Sequence, residues 1–440
     1  MNKQSRWLIA EAERWKAEGL VSPEQFERIR ECYTDSAAAM PWGLVIFASA
    51  GAVVIGLGVI LLFAYNWNDI PKFGKLGLVF GAVIAAHAGG LHLRRLADWR
   101  PQIGAALNLL GTMFYGAGIW LVAQVYHIDE HYPNGFLFWA LGALVLAWVL
   151  DSVLQALLAT VLLAIWGGCE VLDFHDPNLW ALAVVVFGIG PLAWRRKSAV
   201  LLSVVLVAVQ FLLISNLSWF GTSAHVFTTS FAFGALLIAA ARLTPADDTA
   251  FPGAAKVMSF FGFAGFIVCS YLLSFAWASR YVVNWERVPA SQQGIAMAHS
   301  WTFFALAVAG WALVAVRSFR NRNLRSVAEE WLVPVALIYC YALVWGRYAI
   351  VTQFGTRLFN LILLGLAGAW IWRGSREGRL RETVLGVLLL GVVVLARYFD
   401  LFQSLAARGL AFVVFGGGLL SVVFFFRKAR KQDATDGGGS

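Results

Sequence analysis

The stretch WGLVIFASAGAVVIGLGVILLFAY, from Trp42 to Tyr65, decides the fold class of this protein. It contains no charged residue. A helix needs about 20 predominantly apolar residues to cross the hydrocarbon core of a bilayer, and this stretch is long enough. We therefore predict that it forms a transmembrane helix.

Similar apolar runs recur along the rest of the chain. With 60% hydrophobic and 13% charged residues, the composition excludes an ordinary soluble protein, in which roughly a quarter of the residues are charged. We predict an all-α, polytopic integral membrane helical bundle with about 14 transmembrane helices. The runs lie at 42–65, 74–92, 102–126, 136–150, 153–171, 178–194, 198–217, 227–241, 254–278, 297–316, 330–350, 355–372, 383–398 and 408–426. Only Asp151 and Ser152 separate the fourth run from the fifth, so these two also fit one re-entrant hairpin.

The positions of the basic residues predict the orientation. The net charge is +9, but Lys and Arg accumulate in loops that stay on the cytoplasmic side. If the N-terminus is cytoplasmic, most of the 34 Lys and Arg residues fall in inner segments. We predict a bacterial inner-membrane protein with both termini cytoplasmic. Once these anchors are assigned, no basic surface remains for nucleic acid.

Other global features exclude several classes. The four cysteines have no paired or ligand-like spacing, so a disulfide framework is not expected. The charged first 41 residues show no cleavable signal. Walker A, HExxH, GxSxG and dinucleotide-binding glycine motifs are missing from the sequence. We therefore lean against an enzyme and expect no cofactor.

The first residues predict a short cytoplasmic, amphipathic helical hairpin over 1–40. Gly19 ends its first helix, and SPEQ begins the second, with Ser22 and Gln25 forming a capping box and Pro23 at the first helical position. This hairpin fits either a local cap on the bundle or a docking module for a protein partner. The oligomeric state is left open.

The membrane part divides into two halves of seven runs, 41–217 and 218–428. An odd number in each half permits an inverted repeat of the kind seen in secondary transporters, although the halves do not align. Residues 429–440 are predicted to be a cytoplasmic tail that ends in a linker-like GGGS.

Four segments together resemble the DUF2157 family of bacterial membrane proteins. They are W…EGLVSPEQFERI at the N-terminus, LLFAYNWNDIPKFGKLG after the first run, YGAGIWLVAQVYHI in the third, and ARYFDLFQSLAARGLAFVVFGGGLLSVVFFFRKARK near the C-terminus. The resemblance implies a bacterial inner-membrane protein. It implies no activity and no functional residues.

Polar residues at predicted span ends are the candidates for a substrate site. Few polar residues lie within the spans, which favours a neutral or amphipathic substrate over a strongly proton-coupled pump. At the predicted outer surface, Arg presents a planar fork to anionic groups, although interfacial anchoring and ion pairing also account for such residues. The predicted substrate-binding residues are Asn66, Asn68, Gln124, Tyr126, Arg397, Asp400 and Arg408.

Two histidine- and carboxylate-rich loops give a minority prediction of a metal site. The residues are His127, Asp129, His131, Asp173 and His175, whose side chains suit Zn²⁺ or Mn²⁺. His127 and His131 would share a helical face if the third span continued through them. Ending that helix near Tyr126, with a solvated turn at Pro133-Asn134-Gly135, avoids carboxylates at the negative end of the helix dipole.

Three functions remain open at this point. The first is a transporter-like or lipid-handling permease for a small or amphipathic substrate, with membrane lipids as its surroundings. The second is a non-transporting scaffold or sensor that recruits a protein partner through the N-terminal hairpin. The third is an intramembrane transferase acting on a lipid-linked substrate, which would need a general acid or base in a pocket.

Overall fold

A computed structural model describes the greater part of the chain. The described residues are 3–34, 42–65, 71–96, 100–128, 131–220, 223–244, 251–275, 277–278, 290–320, 331–345, 349–401, 409, 413–414 and 416–417. All regular secondary structure among them is helical, as predicted. The chain forms two compact units, Met1–Ala159 and Thr160–Ser440. The predicted division into seven and seven spans at residue 217 stays a prediction.

The first unit contains six helices and the start of a seventh among its described residues. They are α1 (Lys3–Ala17), α2 (Pro23–Thr34), α3 (Trp42–Tyr65), α4 (Lys72–Arg94), α5 (Arg100–Val125), α6 (Pro133–Val149) and α7 (Val153–Leu172). Helix α7 begins in this unit and continues into the second.

The second unit continues with α8 (Leu179–Ala183), a π-helix (Val184–Ile189), α9 (Gly190–Arg195) and α10 (Ala199–Phe220). It then has α11 (Ser223–Leu243), α12 (Ala254–Leu273), α13 (Ala290–Arg320), α14 (Leu332–Trp345), α15 (Ala349–Arg376) and α16 (Leu380–Leu401).

Eight of the described helices are long and apolar enough to cross a membrane, and shorter apolar helices accompany them. Large apolar side chains on these helices point outward: Phe47 is 79% exposed and Phe73 is 84% exposed. Such outward-facing apolar residues are expected where lipid, not water, surrounds a helix. The exact number of fourteen spans stays a prediction, because most of the run at 408–426 lies outside the described residues.

The predicted capping box at the start of α2 is confirmed. The backbone N–H of Ser22 donates to Gln25 Oε1 over 2.9 Å, and the backbone N–H of Gln25 donates to Ser22 Oγ over 3.2 Å. Ala12 of α1 and Phe26 of α2 are buried, and Lys16 Nζ lies 4.9 Å from the Phe26 ring. The cytoplasmic location of these helices, and a partner there, stay predictions.

One predicted span has an irregular interior. The run at 178–194 comprises α8, the π-helix and α9. Pro191 has no N–H for an α-helical bond, and its ring clashes with the carbonyl four residues earlier. The Gly190 N–H donates to the carbonyl of Val185, five residues back. The sequence prediction of a single regular span at 178–194 therefore missed the effect of this proline.

A hydrogen-bonded corner joins α15 to α16. Arg373 Nε donates to Glu382 Oε2 over 2.8 Å, and Arg379 Nη1 donates to Glu382 Oε1 over 3.1 Å. Burial alone would raise the pKa of the Glu382 carboxyl, but these hydrogen bonds and the two guanidinium charges lower that pKa below its ordinary value. Glu382 lies outside the apolar span that ends at Arg376.

Acid is expected to weaken this corner. A carboxyl whose pKa is lowered by folding stabilises the protein fully above its unfolded-state pKa of about 4.3, and the stabilisation is lost as the pH falls through the folded-state pKa. Glu382→Gln should therefore cost about 1 kcal/mol of unfolding free energy at pH 7, and less in acid. Unfolding of both proteins, followed from neutral to acid pH, measures this. Glu377→Gln is the control, since Glu377 pairs with the exposed Arg379 at 3.0 Å. A wild-type advantage that stays constant in acid would contradict the prediction.

Candidate functional site

A large groove lies in the first unit between α4 and α6, with α5 as its floor. It has a volume of about 1060 Å³. A second cavity of about 460 Å³ shares Val83, Tyr115 and Phe138 with it and extends towards His87. The two cavities lie side by side, and we call them together the α4–α6 groove. Phe80 and Phe138 at its rims are about half exposed, so the groove is open along its side.

The walls of the groove depend on glycines that receive aromatic rings. Helices α4 and α6 both pack on α5. A Cβ added at Gly116 would lie 2.2 Å from Trp139 Cδ2, and one added at Gly142 would lie 2.6 Å from Tyr115 Cε1. Trp139 is also fixed by a 2.8 Å hydrogen bond from its Nε1 to the Thr112 carbonyl. The glycines at positions 116 and 142 let these aromatic rings pack directly against α5 and α6, as is common between membrane helices.

The groove is apolar along most of its length. Five polar side chains line one end, and the imidazole of His87 lines the other. The apolar part, which we call the apolar arm, includes Val79, Val83, Ile119, Val122, Phe138 and Leu141. The polar end comprises Gln124, His127, His131, Tyr132 and Asn134. An elongated space with this distribution matches an amphipathic molecule, because apolar surface gains free energy on leaving water and polar groups need hydrogen-bond partners.

The end of α5 positions the polar end of the groove. The Ile128 N–H donates to the Ala123 carbonyl over 2.9 Å, and the His127 N–H donates to the Gln124 carbonyl over 3.4 Å. This is the Schellman arrangement, and it places His127 at φ 55°, in the left-handed region. The prediction that the helix ends near Tyr126 is therefore confirmed. His127 and His131 do not share a helical face.

The beginning of α6 differs from the sequence prediction. Pro133-Asn134-Gly135 was predicted to be a solvated turn, and this is wrong, because Pro133 is the first residue of α6. Proline suits that position, since its fixed φ is helical and its missing N–H would have no partner within the helix. Asn134 therefore lines the groove from the first turn of α6. The next residue, Gly135, lies against the Trp120 ring.

A buried polar cluster lies at the far end of the groove. His87 Nδ1 is 3.3 Å from Asn108 Oδ1. Gln155 Nε2 donates to the Asn108 carbonyl over 3.0 Å and to Thr112 Oγ1 over 2.9 Å. Asn108 and Gln155 are each 1% exposed. Since polar groups in spans are costly unless paired, this cluster fixes α4, α5 and the start of α7 to one another.

Among the described residues, one of the predicted substrate-binding residues lines the groove. Gln124 lines the groove, whereas Tyr126 is 57% exposed and does not line it. Three other predicted substrate-binding residues, Asn66, Asn68 and Arg408, lie outside the described residues. The side chain of Asp400 also lies outside them. The role of each in binding stays a prediction.

Arg397 is described and has local partners. Its Nη2 donates to Ser274 Oγ over 2.9 Å, and its guanidinium carbon lies 4.2 Å from the centroid of the Phe275 ring. Asn360 Nδ2 donates to the Ser274 carbonyl over 3.3 Å. These contacts stabilise the junction of α12, α15 and α16 through a hydrogen bond and a cation–π interaction.

The predicted metal site also remains a prediction. His127 and His131 both line the groove, while Asp129 lies outside the described residues. Asp173 and His175 are exposed in the second unit. Within the described part of the chain, no group of three or more His, Cys, Asp or Glu residues is placed to hold a metal ion.

Several residues of the groove and of the polar cluster beside it were not predicted to be site residues. Asn134 was assigned to a solvated turn, and Tyr132, which precedes that turn, was given no role. His87, Asn108 and Gln155 were recognisable as rare polar residues within spans, yet their pairing across 47 residues of sequence requires the tertiary fold. A sequence signal for the packing around the groove is the recurrence of glycines and aromatic residues over 111–142, which indicates close helix packing.

These features define the class of the protein: it is an all-helical membrane protein. Residues 13–156, about a third of the chain, match the model of a family described as "Predicted membrane protein (DUF2157)". The match confirms the family resemblance predicted from the sequence and contains the whole α4–α6 groove, whereas the C-terminal segment that supported the resemblance lies outside it. No curated protein matches the chain, and no solved structure matches it.

Proposed function

We propose that this membrane protein is a lipid-handling permease that takes an amphipathic molecule into the α4–α6 groove. The observation that carries the proposal is the groove itself, an open space of about 1060 Å³ with a long apolar arm and one polar end. In this arrangement the apolar chain of the substrate lies along the arm, and its headgroup bonds to the polar end.

The dimensions of the groove support a lipid-like substrate. Along α6, the lining residues of the two cavities extend from Asn134 to Leu146, twelve residues or about 18 Å at 1.5 Å per residue. This is more than half of the ~30 Å hydrocarbon thickness of a bilayer. A space this long and this apolar is better filled by a lipid chain than by a small polar solute. The open side between Phe80 and Phe138 gives such a chain a route from the surrounding membrane.

Filling the groove is expected to lower lipid retention. Ala123 lines the groove and is partly buried, so the indole of Ala123→Trp would occupy space required by the substrate. The lipid that copurifies with the protein, extracted and quantified by mass spectrometry per mole of protein, should fall at least about fivefold, equivalent to roughly 1 kcal/mol. Ile119→Trp fills the same groove from one turn earlier and should give the same result.

The matched control is Ala85→Trp. Ala85 lies on the exposed side of α4 and does not line the groove, so this variant should retain lipid as the wild type does. Movement of lipid is tested separately, by reduction of fluorescent lipid with dithionite in proteoliposomes. Equal retention in the Ala123, Ile119 and Ala85 variants would overturn the proposed binding site. Retention without any lipid movement would overturn the permease function.

A further inference from the structure

We infer that the α4–α6 groove selects an uncharged, hydroxyl-rich headgroup, such as the sugar ring of a neutral glycolipid. This inference rests on the proposed function, because it specifies the substrate of the same groove. It is argued from the chemistry of the five residues at the polar end and from the fact that none of the described lining residues is Lys, Arg, Asp or Glu.

The polar end is built from side chains that both donate and accept hydrogen bonds. Gln124 and Asn134 present amides, each with two donors and a carbonyl acceptor, and Tyr132 presents a hydroxyl. The two imidazoles, in their neutral form, each add one donor and one acceptor. A hydroxyl group is itself both donor and acceptor. A sugar with several hydroxyl groups can therefore satisfy this set, whereas a phosphate offers mainly acceptors.

The charge distribution disfavours an anionic headgroup. None of the groove residues in the described part of the chain is Lys, Arg, Asp or Glu. Lys75, one turn before Val79 on α4, is only 8% exposed and does not line the groove. Among the described residues that line the groove, a phosphate would therefore find no Lys or Arg side chain as a fixed positive partner.

An aromatic ring beside the polar end fits a sugar as well. Trp120 lines the groove among these polar groups. Its ring packs over Gly135, and its centroid lies 5.2 Å from that of the Phe136 ring. An indole combines a large apolar face with a polar edge. The C–H face of a sugar ring packs on such a surface, while its hydroxyl groups point to the surrounding amides. A compact phosphate group gains nothing from the indole face.

The test compares lipids that differ only in the headgroup. Full-length protein, purified in an amine oxide detergent that carries no sugar, is mixed with equal amounts of dioleoyl monoglucosyl-diacylglycerol, phosphatidylglycerol and phosphatidylethanolamine. Native mass spectrometry then measures which lipid remains bound. We expect the glucolipid to be retained at least about fivefold more than phosphatidylglycerol, as several additional hydrogen bonds would give. Dodecyl maltoside should displace it, while free methyl glucoside should not, because the apolar arm supplies much of the binding.

Variants assign the selectivity to the polar end. Gln124→Leu and Asn134→Ala should each lower the ratio of glucolipid to phosphatidylglycerol about threefold to tenfold. His127→Gly removes the imidazole and leaves a residue suited to the left-handed conformation at φ 55°, so it should lower the ratio without loss of thermal stability. His92→Ala is the control, since His92 is an exposed imidazole on α4 that does not line the groove.

The outcomes separate this inference from the proposed function. Equal or tighter retention of phosphatidylglycerol would overturn the inference, as would a ratio unchanged by all three variants. Displacement by methyl glucoside alone would show a site for free sugar and overturn the lipid assignment. If Ala123→Trp leaves lipid retention unchanged, the groove itself is refuted as the binding site, whatever the headgroup preference.

Discussion

Replacing Gly104 with alanine is expected to cost about 3 kcal/mol of unfolding free energy, at the upper end of the usual range for overpacking. A Cβ at this position would lie 2.6 Å from the Gly90 carbonyl oxygen and 2.9 Å from the Arg94 backbone nitrogen. Both are backbone atoms of α4, so no side-chain rotation relieves the clash. The helices must separate, and the groove that they form with α6 must change shape.

The same substitution on a free helix surface provides the control. Gly81 lies on the exposed side of α4, and a Cβ there would have no neighbour within 4 Å. Gly81→Ala should be neutral or should stabilise the protein by up to ~1 kcal/mol, because alanine is the better helix former. Unfolding in a single detergent, followed by intrinsic tryptophan fluorescence, measures both variants. Equal stabilities for the two variants would show that α4 and α5 do not approach this closely.

A reciprocal variant on α4 tests whether the two glycines belong to one contact. A Cβ at Gly90 would lie 2.6 Å from Asn108 Oδ1 and 2.8 Å from the Gly104 carbonyl oxygen. Gly90→Ala should therefore destabilise the same helix pair. The double variant should cost less than the sum of the two single losses, because residues that share one contact are not additive. Full additivity would place the glycines in separate contacts.

The sequence predicted the local features of this fold well. Charge-free runs located the helices because a membrane admits few other spanning structures. Ser22 and Gln25 predicted a helix start, and the end of α5 near Tyr126 followed from helix-dipole and turn arguments, because caps depend on a few neighbouring residues. These features involve contacts between residues that are near in sequence.

The sequence did not predict which helix faces meet. A span that is apolar on all sides carries little information about the side that packs on a neighbour. Nothing in the sequence pairs Gly116 with Trp139, or Asn108 with Gln155, and those pairs shape the groove. Arg397 illustrates the same point, since the sequence predicted a substrate-binding residue but did not indicate its contacts with Ser274 and Phe275.

The second large effect is expected at Tyr341, in the core of the second unit. Tyr341 is 3% exposed, and its hydroxyl donates to the Ser300 carbonyl over 2.6 Å and lies 3.1 Å from Ser300 Oγ. Thr228 Oγ1 is 2.7 Å from Ser300 Oγ. These bonds connect α11, α13 and α14 within an otherwise apolar cluster. Tyr341→Phe removes the hydroxyl and leaves buried acceptors without this donor, so it should cost about 2 kcal/mol.

The neighbouring tyrosine offers a matched control for this loss. Tyr339 packs against Phe359 with ring centroids 5.7 Å apart, and its hydroxyl makes no hydrogen bond to a residue that the structure describes. Tyr339→Phe should change stability by at most about 0.5 kcal/mol. Detergent-induced unfolding of both variants distinguishes a bonded hydroxyl from ring packing, since both variants keep the ring.

A double-variant cycle then tests the partner of the hydroxyl. Ser300→Ala removes the Oγ that joins Thr228 to Tyr341 but keeps the Ser300 carbonyl as an acceptor. If the three side chains act as one network, adding Ser300→Ala to Tyr341→Phe should cost clearly less than it does in the wild type. Additive losses would mean that the tyrosine is held mainly by the carbonyl, and the side-chain network would then contribute little to joining the three helices.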